Sequence, residues 1–247
     1  MDLGLSGKRA AVAAGSAGLG LGTARALATE GVQVAICGRD AERLAKAADT
    51  IPGDVVTIVA DVSDAEQARG FVRQAIDRLG GLDVLVANAG GPPAGTFAST
   101  PFEEYAKALE LNLLSTVAMC EVAVPVLTAQ GWGRILAITS STVRQPAPNL
   151  ILSNVARSGA TAFCKTLALE VAGAGVTVNT IQPGLHDTDR LAHLGVEPAK
   201  LARAVPAGFI GDADDFGAVA AFLCSEQARY VTGVAVPVDG GVFAGLQ

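Results

Sequence analysis

The stretch Ala13-Ala14-Gly15-Ser16-Ala17-Gly18-Leu19-Gly20 joins an apolar run, Ala10–Ala14, to a helical pattern over Leu21–Glu30. Glycines between a strand and a helix permit a tight turn. They also let an anion approach the free N–H groups of the first helical turn. A glycine cluster carries that meaning only inside a strand–turn–helix unit followed by a second strand. Gln33–Cys37 supplies the second strand, so Gly15, Ser16, Gly18, Leu19 and Gly20 are expected to cradle a dinucleotide pyrophosphate. Gly18, Gly20 and Gly22 also let the same helix lie close to the sheet.

The second strand runs into Cys37-Gly38-Arg39-Asp40. A carboxylate at this strand end grips a ribose 2′-hydroxyl, whereas a cation suits a 2′-phosphate. Arg39 offers a planar guanidinium for that dianion. NADP(H) is therefore preferred, with NAD(H) left open.

Beyond the turn, short apolar runs alternate with helical patterns to the end of the chain. Ala10–Ala14, Gln33–Cys37, Val55–Ala60, Val84–Ala87, Ile135–Thr139, Thr177–Ile181 and Val234–Val238 read as seven strands. They are continuous rather than alternating, as in strands covered on both faces. Asp40 opens a helix over Ala41–Thr50, and Asp64 opens Ala65–Leu79, which ends at Gly80-Gly81. Thr100-Pro101-Phe102-Glu103 reads as cap, N1 proline and N3 acid for a long helix to about Gln130. Asp212 and Asp215 form a similar box for Phe216–Cys224. The alternation predicts one domain over residues 1–247: an α/β, Rossmann-type, doubly wound, seven-stranded parallel sheet with helices on both faces.

Composition agrees with this class. Half of the 247 residues are hydrophobic and only 4% are aromatic. Small aliphatic residues suit helices packed closely on a buried sheet. A net charge of −6 without a basic run argues against nucleic acid. No charged segment precedes an apolar one at the start, and the apolar runs read as too short to span a membrane, so a cytoplasmic location is expected. Cys37, Cys120, Cys164 and Cys224 show no metal-ligand spacing and read as buried small hydrophobes.

Several further motifs, in order, make the chain resemble the classical short-chain dehydrogenase/reductase family, in particular its 3-oxoacyl-ACP reductase-like members. These are Asp61-Val62, Ala87-Asn88-Ala89-Gly90, Asn112 within the long helix, Thr139-Ser140-Ser141, Pro183-Gly184-Leu185-His186-Asp187-Thr188 and Tyr230-Val231-Thr232-Gly233. The resemblance implies an oxidoreductase acting on a small-molecule carbonyl or secondary alcohol, assembled as a homotetramer or homodimer. It also implies cofactor contacts at Asp61, Val62, Asn88, Ala89, Gly90, Pro183, Gly184, Leu185 and Thr188, with catalytic roles for Asn112 and Ser140. Relatives vary most over Leu185–Pro206, where Leu191, Leu194, Leu201 and Val205 offer an apolar substrate wall or a docking face.

Two positions depart from the family pattern. Ala14 stands where the first glycine of the turn is usual. The family's Tyr-x-x-x-Lys falls on Ser153 and Arg157, one helical turn apart within Asn149–Val171. Arg157 retains a positive charge for the ribose hydroxyls, but an aliphatic hydroxyl is a far weaker acid than tyrosine, whose pKa is near ~10. A neighbouring cation shifts a pKa by about 1–3 units, which does not close that gap. His186 is the other candidate proton donor, because it titrates near neutrality. Tyr105 and Tyr230, the two tyrosines, read as packing residues. The alternative is a protein that binds the dinucleotide with little or no redox activity.

Overall fold

A computed structural model describes residues 1–192 and 197–246. Its sheet has seven strands in the order β3-β2-β1-β4-β5-β6-β7, all parallel. The strands are β1 (Arg9–Val12), β2 (Gln33–Gly38), β3 (Val56–Val59), β4 (Val84–Ala87), β5 (Gly133–Ile138), β6 (Val176–Pro183) and β7 (Ala235–Val238). Each lies within two residues of its sequence-based bounds.

Helices cover both faces. On one face lie α1 (Gly18–Thr29), α2 (Ala41–Ala48) and α9 (Ala213–Leu223). Their Leu27, Leu44 and Phe216 pack on Val12, Ile36, Val86 and Ile138. On the other lie α3 (Ala65–Leu79), α5 (Ser115–Ala129) and α6 (Ile151–Val171), whose Phe71, Met119 and Cys164 pack on Ala11, Leu85 and Ile135. Successive side chains of a strand point to opposite faces, so alternate residues of one apolar run feed two separate cores. The short helices α4 (Glu103–Leu109), α7 (Asp189–Ala192) and α8 (Pro198–Ala202) complete the fold.

The caps follow their chemistry. Asp40 accepts from the Arg43 N–H, Asp64 from those of Glu66 and Gln67, and Asp212 from those of Asp214 and Asp215. The last pair moves the start of α9 to Ala213, three residues ahead of expectation. The long helix differs more. It starts at Glu103 without a side-chain cap, so Thr100 does not close the expected box. It also passes through a π-helical turn at Glu110–Leu114 before continuing as α5. By length and composition the run Glu103–Ala129 is apolar enough to cross a membrane, contrary to the sequence reading. Here Met119, Ala123 and Leu127 of that run are core residues.

The strand order reverses between β1 and β4, whose carboxyl ends therefore diverge around a crevice. Parallel sheets bind ligands at such a switch point. The turn after β1 lies there.

Candidate functional site

The Ala13–Gly20 turn is built by close approaches. Gly15 N–H donates to Cys37 O (2.9 Å), fixing the turn to the end of β2. Gly38 leaves room for the Ser16 hydroxyl, which would lie 2.9 Å from a side chain added there. Gly18 has φ +53°, and a Cβ on it would meet the Thr188 methyl at 3.3 Å. On Gly20 a Cβ would stand 2.4 Å from Ala14 O and 2.8 Å from the Asn88 amide nitrogen. That amide donates to Ala13 O (3.3 Å), tying the end of β4 to the turn. Gly22 faces α9, where a Cβ would fall 2.0 Å from Ala213 O.

Ala14 takes φ +46°, the one non-glycine residue with positive φ among the described residues. An L-residue pays about 1–2 kcal/mol for this left-handed conformation. The turn thus keeps the shape a glycine would adopt without strain. Leu19 packs against the core beneath, and α1 begins at Gly18 with neither a side-chain cap nor an acid in its first turn.

At the end of β2, Arg39 is 79% exposed, its guanidinium 3.9 Å from Asp61. Asp61 also accepts from the N–H and hydroxyl of Ser63, and Val62 is buried. Arg43, one turn into α2, pairs with Asp189 of α7, beside Thr188.

The other half of the crevice lies at the ends of β4, β5 and β6. Ser140 caps a short helical turn: its Oγ accepts from the Thr142 N–H (3.2 Å) and lies 3.0 Å from the Thr142 hydroxyl. Asn112, buried inside the π-helical turn, donates to Gly90 O (2.8 Å), while its Oδ1 is buried without a partner. Ser153 is buried on α6. One turn later Arg157, 9% exposed, donates to Ile138 O (2.8 Å), Thr139 O (3.0 Å) and Ala89 O (3.3 Å), with Gly90 O at 3.5 Å. Its guanidinium joins the ends of β4 and β5 from below. That differs from the expectation of a cation presented to ribose hydroxyls.

The His186 ring is buried edge-on to Phe216 of α9, 5.1 Å between centroids, with Nδ1 3.4 Å from Gly184 O. Burial pushes its pKa below the usual histidine value, and Gly184 O and Asp212 partly oppose the shift. Its packing partner lies on the sheet face opposite α6. The ring there packs against α9. Gly184 N–H donates to Val238 O (2.9 Å), so the Pro183–Leu185 segment is fixed to the end of β7.

One of the two tyrosines departs from expectation. Tyr230 is 99% exposed, not packed, while the motif around it works through Thr232, which accepts from Val178 N–H (3.1 Å). Tyr105 packs against Leu152 and Ala156 at the start of α6. Of the apolar wall, Leu191 and Val205 are buried and Leu201 half-buried; Leu194 lies outside the described residues. The four cysteines are buried free thiols, as expected.

Residues 13–243 match a family profile described as enoyl-(acyl carrier protein) reductase. The pig (Sus scrofa) dehydrogenase/reductase SDR family member 4 is 32% identical over 98% of this chain and 89% of its own. The crystal structure of L-sorbose reductase from Gluconobacter frateurii, complexed with NADPH and L-sorbose, superposes with TM-score 0.94. It is 30% identical over the whole of both chains. A 7α-hydroxysteroid dehydrogenase complexed with NADH and 7-oxo glycochenodeoxycholic acid gives 0.92, at 28% identity over 100% of this chain and 98% of that one. With the switch-point turn, the sheet order and these likenesses in agreement, the chain belongs to the short-chain dehydrogenase/reductase family.

Proposed function

We propose that the protein is an NADP(H)-dependent oxidoreductase of the 3-oxoacyl-ACP reductase-like kind. It interconverts a small-molecule carbonyl and a secondary alcohol, as a cytoplasmic homotetramer or homodimer. The observation that carries this is the uncapped start of α1. Helices α2, α3 and α9 each satisfy their first N–H groups with an aspartate. α1 does not, and its start is a glycine turn packed so closely that a Cβ at Gly20 would strike Ala14 O and the Asn88 amide. Free N–H groups and the positive end of a helix fit a pyrophosphate. The NADPH and NADH held by the two structural relatives support a nicotinamide dinucleotide.

Gly15, Ser16, Gly18, Leu19 and Gly20 would hold the pyrophosphate, with Thr188 closing over it. Asp61 and Val62 would border the adenine, and Asn88, Ala89, Gly90, Pro183, Gly184 and Leu185 would border the nicotinamide half. Exposed Arg39 is the residue for a 2′-phosphate. When bound, the nicotinamide supplies or accepts a hydride.

The chain's own residues handle the oxygen and the proton. Ser140, fixed by Thr142, presents its hydroxyl to the substrate oxygen. Ser153 is too weak an acid to donate directly, so the proton travels by water. The partnerless Oδ1 of Asn112 is an acceptor for such a water. Arg157 holds the ends of β4 and β5 under this site and keeps it positive. Losing a positioned general acid costs about 10²–10⁴-fold in rate, so slow turnover is expected.

The test is a titration of the intact protein with NADPH and with NADH, repeated for Arg39→Ala. NADPH should bind more tightly, and the substitution should weaken it by about tenfold or more while leaving NADH nearly unchanged. Equal affinities that ignore Arg39 would exclude the NADP(H) preference.

A further inference from the structure

The loop 140–146 leads from the end of β5 toward α6. Its backbone bonds are local. Val143 N–H donates to Ser140 O (3.2 Å), and those of Arg144 and Gln145 donate to Ser141 O (3.1 and 3.3 Å). The Ser140 hydroxyl is held locally too, by Thr142. Among the described residues, a single side chain carries hydrogen bonds from this loop to the rest of the protein. Arg144, half-buried, donates from Nε to Gln182 Oε1 (2.9 Å) and from Nη2 to Ala235 O (2.7 Å), joining the loop to β6 and β7.

These contacts are directional. A guanidinium presents its donors in a rigid plane, so two acceptors on different edges fix its place and its tilt together. Both acceptors sit on the sheet. Gln182 is fully buried on β6, beside Pro237 of β7 in the strand register. Arg144 offers only donors, so the Gln182 amide turns its oxygen to it and leaves its own nitrogen buried without a partner. The Phe243 ring, 5.7 Å from the guanidinium carbon, adds a third contact. That ring is itself placed by Asp239, which accepts from the Phe243 N–H (3.0 Å).

We infer that Arg144 is a positioning residue for Ser140, acting through Thr142. A turn with only local bonds keeps its shape but not its place, and Arg144 sets its place. It stands two residues after Thr142, whose N–H (3.2 Å) and hydroxyl (3.0 Å) hold the Ser140 Oγ. Moving the turn carries Thr142 with it and swings the Ser140 hydroxyl off the substrate oxygen. A misplacement of about 1 Å costs about 10²-fold in rate. The backbone just before Ser140 is anchored separately, because Thr139 N–H donates to Ile181 O (2.9 Å). Arg144 therefore acts on the aim of the hydroxyl and not on the glycine turn after β1. This role rests on the oxidoreductase reading above.

The experiment is a double-mutant cycle on a ketone that the full chain reduces with NADPH. It compares kcat, NADPH affinity and Tm for Arg144→Met, Ser140→Ala and the two together. Arg144→Met should lower kcat by about ten- to a hundredfold and leave NADPH affinity nearly unchanged. With Ser140 already alanine there is no hydroxyl to aim, so the same substitution should cost less than about twofold more. Its loss of Tm should be equal in both backgrounds, which separates aim from stability. Arg144→Lys keeps the charge but reaches one acceptor, so it is the milder variant. It should show a smaller drop in kcat that likewise vanishes without Ser140. Equal factors with and without Ser140 would overturn the role, as would an unchanged kcat in both Arg144 variants. Wild-type protein that reduces no ketone at all would overturn the oxidoreductase reading, and this role with it.

Discussion

The guanidinium of Arg157 lies 2.8 Å from the carbonyl oxygen of Ile138, the last residue of β5, and the same nitrogen reaches Thr139 O at 3.0 Å. A second nitrogen reaches Ala89 O, beyond the end of β4. Carbonyls at strand ends that no further strand pairs must find donors elsewhere. Arg157 supplies them from a helix.

Arg157→Met should therefore act on stability first. It leaves buried carbonyls without donors, each costing about 1–3 kcal/mol, so a total loss of about 2–4 kcal/mol is expected in urea unfolding. Arg157→Lys has one point charge in place of a fork and should recover only part of this. Full stability in the methionine variant would show that the guanidinium is not a strut.

Ala14→Gly should stabilise the protein. Relief of the left-handed conformation returns about 1–2 kcal/mol, against about 0.4–1 kcal/mol for the freer unfolded chain. A net gain of about 0–1.6 kcal/mol in equilibrium unfolding follows from those two ranges. NADPH affinity should hold or rise, because the turn already has the shape glycine prefers.

Gly22→Ala and Gly20→Ala should part company. At Gly22 the added methyl strikes Ala213 O, so the close contact between α1 and α9 must open, at about 1–3 kcal/mol for overpacking. At Gly20 it strikes Ala14 O and the Asn88 amide, inside the cradle itself. Melting temperature should fall for both, while the ratio of NADPH affinity to stability lost should fall much further for Gly20→Ala.

The pH dependence of stability should carry a mark of His186. Burial lowers its folded pKa below the ordinary 6.5, so the unfolded chain binds the proton more readily. The stability this neutral ring contributes is present above about pH 6.5 and is lost as pH falls through the folded pKa. Replacing it by leucine should flatten the fall of ΔG on acidification below about pH 6.5. Its effect on the pH profile of turnover should be absent, because the ring packs on Phe216 and not at the reacting face.

Much of this was legible in the residues. Continuous apolar runs located every strand, and Asp64 with Gly80 bounded α3 to the residue. The π-helical turn at Glu110–Leu114 was not legible, because one extra residue in a turn leaves the apolar spacing nearly intact. The glycine turn and Arg39 stood out through local spacing. The strut role of Arg157 and the burial of His186 did not. Arg157's partners lie 18, 19 and 68 residues away in sequence, and Phe216 is 30 residues beyond His186. Contacts of that kind leave no periodic trace.

The most direct test of the account is turnover itself. The full chain is mixed with NADPH and a panel of aliphatic and cyclic ketones and 3-oxoacyl thioesters, and alcohol formation is measured against NADPH consumed. The expected result is slow reduction of at least one ketone, one alcohol per NADPH, faster with NADPH than with NADH. Tight NADPH binding with no alcohol formed from any of them would contradict the proposed oxidoreductase and leave a protein that only holds the dinucleotide.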